Sequence, residues 1–137
     1  MKPIKRKIAM QMTKNFKIKE FECKCGCEMP LEVYENVIKL AGQLQTLRDY
    51  TGRPIKINSA YRCPEHNEKC NGSKRSQHLL GKAADITIQS LKPIEVYAII
   101  EDLIDFGVIL QGGLGLYDTF VHYDIRKTRA RWDYSNK

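Results

Sequence analysis

Nowhere in these 137 residues do apolar side chains run on for the roughly 18 positions that a membrane-spanning helix needs. No internal repeat or low-complexity tract is present, and no Gly/Ser/Pro-rich linker divides the chain, so one compact domain accounts for its length. Acidic residues are the minority: 16 Asp+Glu against 23 Lys+Arg leave a formal net charge of +7 and a pI near 9.2. That surplus suits an anionic partner, whether nucleic acid, acidic lipid or a phosphate-rich wall polymer, and charge alone does not choose among them. Hydrophobic residues make up 42%, which excludes a disordered segment.

The paired Cys-x-x-Cys motifs of a zinc ribbon are also missing. There are five cysteines, three in Cys23-Lys24-Cys25-Gly26-Cys27 and two flanking a loop as Cys63 and Cys70. An odd number strands one thiol in any purely intramolecular disulfide framework. The basic stretch from Met1 to Phe16 is not followed by the roughly 7–15-residue apolar run of a secretory signal. The expectation is synthesis in a reducing cytosol, with thiols reduced or metal-bound rather than paired. A structural zinc from Cys23, Cys25 and Cys27 with Cys63, His66 or Cys70 stays open beside a reading of buried or idle cysteines.

Residues 1–15 read as a basic arm, 16–126 as the folded domain and 127–137 as a basic tail. Tyr34, Val37, Ile38, Ala41, Leu44 and Leu47 recur at helical spacing, predicting a helix over 30–51 with Pro30 in its first turn. Ile55-Lys56-Ile57 reads as a strand, 63–80 as a long polar loop and Ala83–Ile88 as a second strand with Ala84, Ile86 and Ile88 on one face. A helix from Pro93 to Phe106 follows, then a β-rich segment from Val108 to Ile125 in which Gly112-Gly113 and Gly115 mark turns or close backbone approach. This order predicts an α+β domain, with a central antiparallel sheet and the helices packed on one side.

In Phe120-Val121-His122-Tyr123-Asp124-Ile125-Arg126, the alternation puts three ionisable groups, His122, Asp124 and Arg126, on one face. Asp85 is on the polar face of its own strand, and His78 lies seven residues before it. His78, His122 and Asp85 would offer zinc an N,N,O set with a fourth tetrahedral position left for water.

Ser76-Gln77-His78-Leu79-Leu80-Gly81-Lys82-Ala83-Ala84-Asp85 fits S-x-H-x-x-G-x-A-x-D and resembles the zinc D-alanyl-D-alanine metallopeptidases. That group includes peptidoglycan carboxypeptidases and phage L-alanyl-D-glutamate endolysins. Ser59-Ala60-Tyr61-Arg62, His66-Asn67, Gly113-Leu114-Gly115 and the strand ending at Arg126 extend the resemblance over roughly 16–126. It implies His78, Asp85 and His122 as zinc ligands on an antiparallel sheet, and Arg62 as the group that holds a carboxylate or carbonyl of the peptide stem. Ser76, which can hydrogen-bond within its loop and orient His78, is grouped with Arg62 on the substrate side. Relatives place a Glu three residues before the last ligand, where this chain has Thr119. Asp124 is taken as the general base, with Asp118 as the alternative, and Asp124 could instead orient His122.

The resemblance therefore implies a zinc peptidase acting on peptidoglycan stem peptides, a phage-type lytic enzyme drawn to anionic wall polymers. It would be made in the cytoplasm and reach the wall by phage-type release. A zinc-loaded but inactive wall-binding module is the alternative. A nucleic-acid partner rests only on charge and on the tail residues Arg126, Lys127, Arg129, Arg131, Trp132 and Tyr134.

Overall fold

The computed structural model describes residues 12–136; residues 1–11 of the expected arm, and Lys137, lie outside the described residues. In chain order the elements are α1 (Leu31–Thr51), β1 (Ile55–Ser59), α2 (Pro64–Lys69), β2 (Ala83–Ile88), α3 (Pro93–Asp105), β3 (Gly113–Leu116), β4 (Val121–Asp124) and β5 (Ala130–Asp133). Two 3₁₀ turns, Ile18–Phe21 and Gln77–Leu80, join them. Pro30 stands just before α1 as an extended N-cap rather than inside its first turn. The helix buries Val33, Tyr34, Val37, Leu40, Ala41, Leu44 and Leu47. Leu40 fills the stripe, whereas Ile38, expected there, is half exposed. α3 starts with Pro93 in its first turn, and the Glu95 carboxylate accepts the orphan Lys92 N–H at 2.8 Å.

The five strands form one sheet in the order β1-β2-β4-β3-β5. All neighbours are antiparallel except β3 and β5, which run parallel, so the sheet is mixed rather than purely antiparallel. The parallel pair comes from Ala130–Asp133, in the segment expected as a basic tail. Its residues are half-buried or exposed with no clean alternation, so local patterning does not announce a strand. α2 is likewise a helix where a loop was expected; six residues with only Asn67 buried are too few for helical periodicity to register.

Alternation sorts the sheet into two faces. Ala84, Ile86 and Ile88 of β2, Leu114 and Leu116 of β3, and Val121 and Tyr123 of β4 enter a single core with the α1 stripe and Val96, Ile100 and Leu103 of α3. α3 packs against β2, β3 and β4. Opposed residues share a face, and the register sets Ser59 opposite Asp85, Asp85 opposite His122, His122 opposite Gly115, and Gly115 opposite Trp132. One row across all five strands thus carries the polar face on which the candidate site is built.

Candidate metal centre

Asp85 and His122 face each other because their strands pair in register. His78 reaches them from the 3₁₀ turn that leads into β2. That turn is fixed by local chemistry: the His78 N–H donates to Ser76 Oγ at 3.1 Å, and Gly81, in the left-handed conformation with φ +73°, closes it. The turn contacts α1, α2 and β2, and Asn36 Nδ2 donates to the Leu80 carbonyl at 2.9 Å. His78 Nε2 lies 3.2 Å from Asp85 Oδ1, and His122 Nδ1 lies 3.1 Å from the same oxygen. The imidazoles meet edge to face, with centroids 5.1 Å apart and planes at 78°. All three side chains are buried.

The second nitrogen of each ring shows which nitrogen is bare. His78 Nδ1 is 2.7 Å from the Ala60 carbonyl, an acceptor only, so Nδ1 carries the proton and Nε2 presents its lone pair to Asp85. His122 Nε2 is 2.7 Å from Asp124 Oδ2, which leaves Nδ1 bare in the same sense. In these neutral tautomers two lone pairs and a carboxylate oxygen converge with no hydrogen between them. A cation fits this set: zinc with bonds of about 2.0–2.1 Å has tetrahedral ligand edges of about 3.3–3.4 Å, close to the spacing observed. Burial pushes the Asp85 carboxyl up, but in the metal-free protein hydrogen bonds from His122 and His78, made when those rings carry a proton toward it, outweigh this and hold it below the usual carboxylate range. Burial pulls His122 down, yet Asp124 and Asp85 together raise it above the ordinary histidine value.

Arg62, expected on the substrate side, lies against Asp85. Its Nη2 donates to Asp85 Oδ2 at 3.2 Å, Nε to Ser59 Oγ at 3.1 Å and Nη1 to Asn67 Oδ1 at 3.4 Å. Asp85 thus divides its carboxylate, one oxygen toward the histidines and one toward Arg62.

Asp124, expected as the general base, is placed differently. It is fully buried, on the second nitrogen of His122 rather than beside Asp85. Oδ1 accepts from the backbone N–H groups of Gly113 at 2.8 Å and Arg126 at 3.1 Å, and Arg126 Nε and Nη2 reach the carboxylate at 2.9 and 2.7 Å. Burial pushes its pKa up, but the hydrogen bonds with His122 first and Arg126 second outweigh this and hold it low. Asp118 is exposed in the turn between β3 and β4 and accepts from the Asn136 backbone N–H and Nδ2 at 2.6 and 2.7 Å. Thr119 beside it is also exposed.

The sequence reading missed one wall of the site. Trp132 of β5 lies over Gly115, its ring centroid 5.0 Å from that of His122, and its Nε1–H donates to the Tyr117 hydroxyl at 2.9 Å. The Arg126 guanidinium sits 5.4 Å above the same indole. A Cβ on Gly115 would run into the indole, so the glycine is what lets Trp132 approach. Gly115 was the available signal, since a strand glycine marks close approach.

The sequence model of the family described as Peptidase M15 matches residues 14–124, which takes in α1 through β4 with every residue of the His78–Asp85–His122 cluster. No curated protein matches the chain.

Proposed function

Because the chain belongs to the peptidase M15 family of metallopeptidases, we propose that it hydrolyses an amide bond in peptidoglycan stem peptides with zinc held by His78, Asp85 and His122. The observation that supports this most is the convergence of two bare imidazole nitrogens and one carboxylate oxygen, each ring fixed by a partner on its other nitrogen. Zinc, when bound there, supplies a Lewis acid for the scissile carbonyl and lowers the pKa of the attacking water.

The chain's own groups prepare this site. Arg62 takes one oxygen of Asp85 and leaves the other to the metal. Three of its five N–H donors are engaged by Ser59, Asn67 and Asp85, and the other two suit a carboxylate or carbonyl of the stem peptide. Ser76 holds the His78 turn in shape, so its part in substrate binding is indirect. Asp124 is better read as a positioning residue than as the base, because its oxygens are buried and engaged by His122, Gly113 and Arg126. Asp118, four residues before His122 in the chain, is the alternative acceptor; it is exposed and held by Asn136, and Asp118→Asn tests it.

Incubation of the zinc-loaded protein with purified peptidoglycan, followed by mass spectrometry of the fragments, tests the function. Release of terminal D-alanine identifies a carboxypeptidase, and a cut at L-Ala-D-Glu identifies an endopeptidase of the phage lytic type. His122→Ala should abolish either. Intact fragments from the zinc-loaded wild type would overturn hydrolysis and favour the second reading, a zinc-loaded wall-binding module, for which Thr119 in place of the usual Glu is the supporting observation.

A further inference from the structure

The second cluster of metal-ligating side chains has no part in the peptidase reading. Cys23 Sγ lies 3.1 Å from Cys25 Sγ and 3.8 Å from Cys63 Sγ; Cys25 Sγ lies 3.3 Å from Cys63 Sγ and 3.0 Å from Cys27 Sγ. Cys23 and Cys63 are buried, and Cys25 and Cys27 are at the surface. Gly26, with φ +85°, makes the turn that brings Cys25 and Cys27 back beside Cys23, closed by the Gly26 N–H to the Cys23 carbonyl at 3.0 Å. The fifth cysteine, Cys70, lies apart against His66 Nε2 at 3.6 Å.

From this geometry we propose that Cys23, Cys25, Cys27 and Cys63 together bind one structural zinc ion, separate from the His78–Asp85–His122 centre. Zinc with Zn–S bonds of about 2.3 Å has tetrahedral sulfur edges of about 3.8 Å. Cys23, Cys25 and Cys63 already form a mutually close trio whose Cys23–Cys63 edge has that length and whose other two edges need to open by less than about 1 Å. Cys27, in contact with Cys25 at 3.0 Å but outside that trio, swings in as the fourth ligand. Four thiolates form a closed set with no position for water, the donor arrangement of a structural rather than a catalytic site. An N–H group also points at the sulfur that would carry charge, the Cys63 N–H donating to Cys23 Sγ at 3.4 Å.

The ion would join the segment before α1 to the exit of β1. Arg62 immediately precedes Cys63, and Ala60, whose carbonyl fixes the His78 tautomer, lies two residues further back. The same join is stitched by the Tyr61 N–H to the Phe21 carbonyl at 3.1 Å. The cysteine site thus holds in place the stretch that sets Arg62 and His78.

Metal analysis of the full chain tests the site without reference to hydrolysis. The zinc-reconstituted wild type should hold two zinc ions, His122→Ala one, and the Cys25→Ser/Cys27→Ser double variant one. Loaded with Co²⁺, wild type and His122→Ala should both show intense near-ultraviolet thiolate-to-cobalt absorption, which the double variant lacks. Thiol titration of the denatured, unreduced wild type should count five thiols. The wild-type measurements decide the matter even if the double variant does not fold. Absence of the thiolate band in Co²⁺-loaded wild type, or a count of one or three thiols, would overturn the proposal in favour of idle or disulfide-paired cysteines. Because His122→Ala keeps the cysteine signal whether or not the wild type cuts peptidoglycan, failure of this site and failure of the peptidase reading are separable.

Discussion

Asp124 has no solvent-facing surface, and its acceptor positions are taken up by His122, Gly113 and Arg126. A carboxylate in that setting raises the basicity of the imidazole it holds, and loss of such a partner typically weakens metal binding about 10–100-fold. Asp124→Asn should therefore lower zinc affinity by that factor, with kcat recovering in excess zinc. A fall of about 10²–10⁴-fold in kcat at full zinc occupancy would instead restore Asp124 as the base. Asp124 has a depressed pKa when folded, so it contributes stability above its unfolded value of about 3.9, and this is lost as pH falls through the folded value. Urea midpoints between pH 6 and 3 should thus fall more steeply for wild type than for Asp124→Asn. His122 shows the opposite sign. Its pKa is raised in the metal-free protein, so protons compete with the metal from above the ordinary histidine value of about 6.5. Zinc affinity, measured by chelator competition from pH 8 to 6, should decline as pH falls; a flat profile would contradict the bare Nδ1 assignment.

Strand β5 depends on one contact more than on its own sequence. Trp132 reaches the site face only because β3 carries Gly115, and Gly115→Ala drives a methyl group into the indole. Overpacking of this kind typically costs about 1–3 kcal/mol. The chain has one tryptophan, so its fluorescence reports this strand alone. Gly115→Ala should lower Tm and shift the emission to the red; unchanged emission would mean that β5 does not depend on the glycine. The same strand marks the limit of what the sequence discloses. β2 is legible to its bounds, because Ala84, Ile86 and Ile88 alternate with Asp85 and Thr87. α1 is legible from its stripe. β5 is not, since its stability comes from a parallel pairing with β3 that no local pattern encodes. The His78–Asp85–His122 cluster is legible from the motif around His78 and from alternation along β4. The group that sets the His78 tautomer is not, because it is a backbone carbonyl, of Ala60, that could belong to any residue. Asp124 was visible on the correct face, but its role depends on Gly113 and Arg126 closing around it.

For the molecule as a whole, the +7 charge predicts attraction to anionic wall polymers, screened over a Debye length of about 8–10 Å at moderate salt. Binding to whole sacculi should therefore weaken between low and moderate salt, while cleavage of a short soluble peptide changes far less. Equal sensitivity of the two would remove the long-range attraction. No helix among the described residues is long and apolar enough to cross a membrane. The row from Ser59 through Asp85, His122 and Gly115 to Trp132 has a consequence for how the chain reaches its native state. Slipping β4 by one residue would exchange the two faces of the strand, setting Val121 or Tyr123 opposite Asp85 and turning His122 toward the core. A slipped sheet therefore has no N,N,O set to offer, and an ion that binds only the correct pairing draws the population toward it by mass action. A metal ion bound by this cluster would then act as a proofreader of strand register, rescuing mispaired chains during refolding before any substrate arrives.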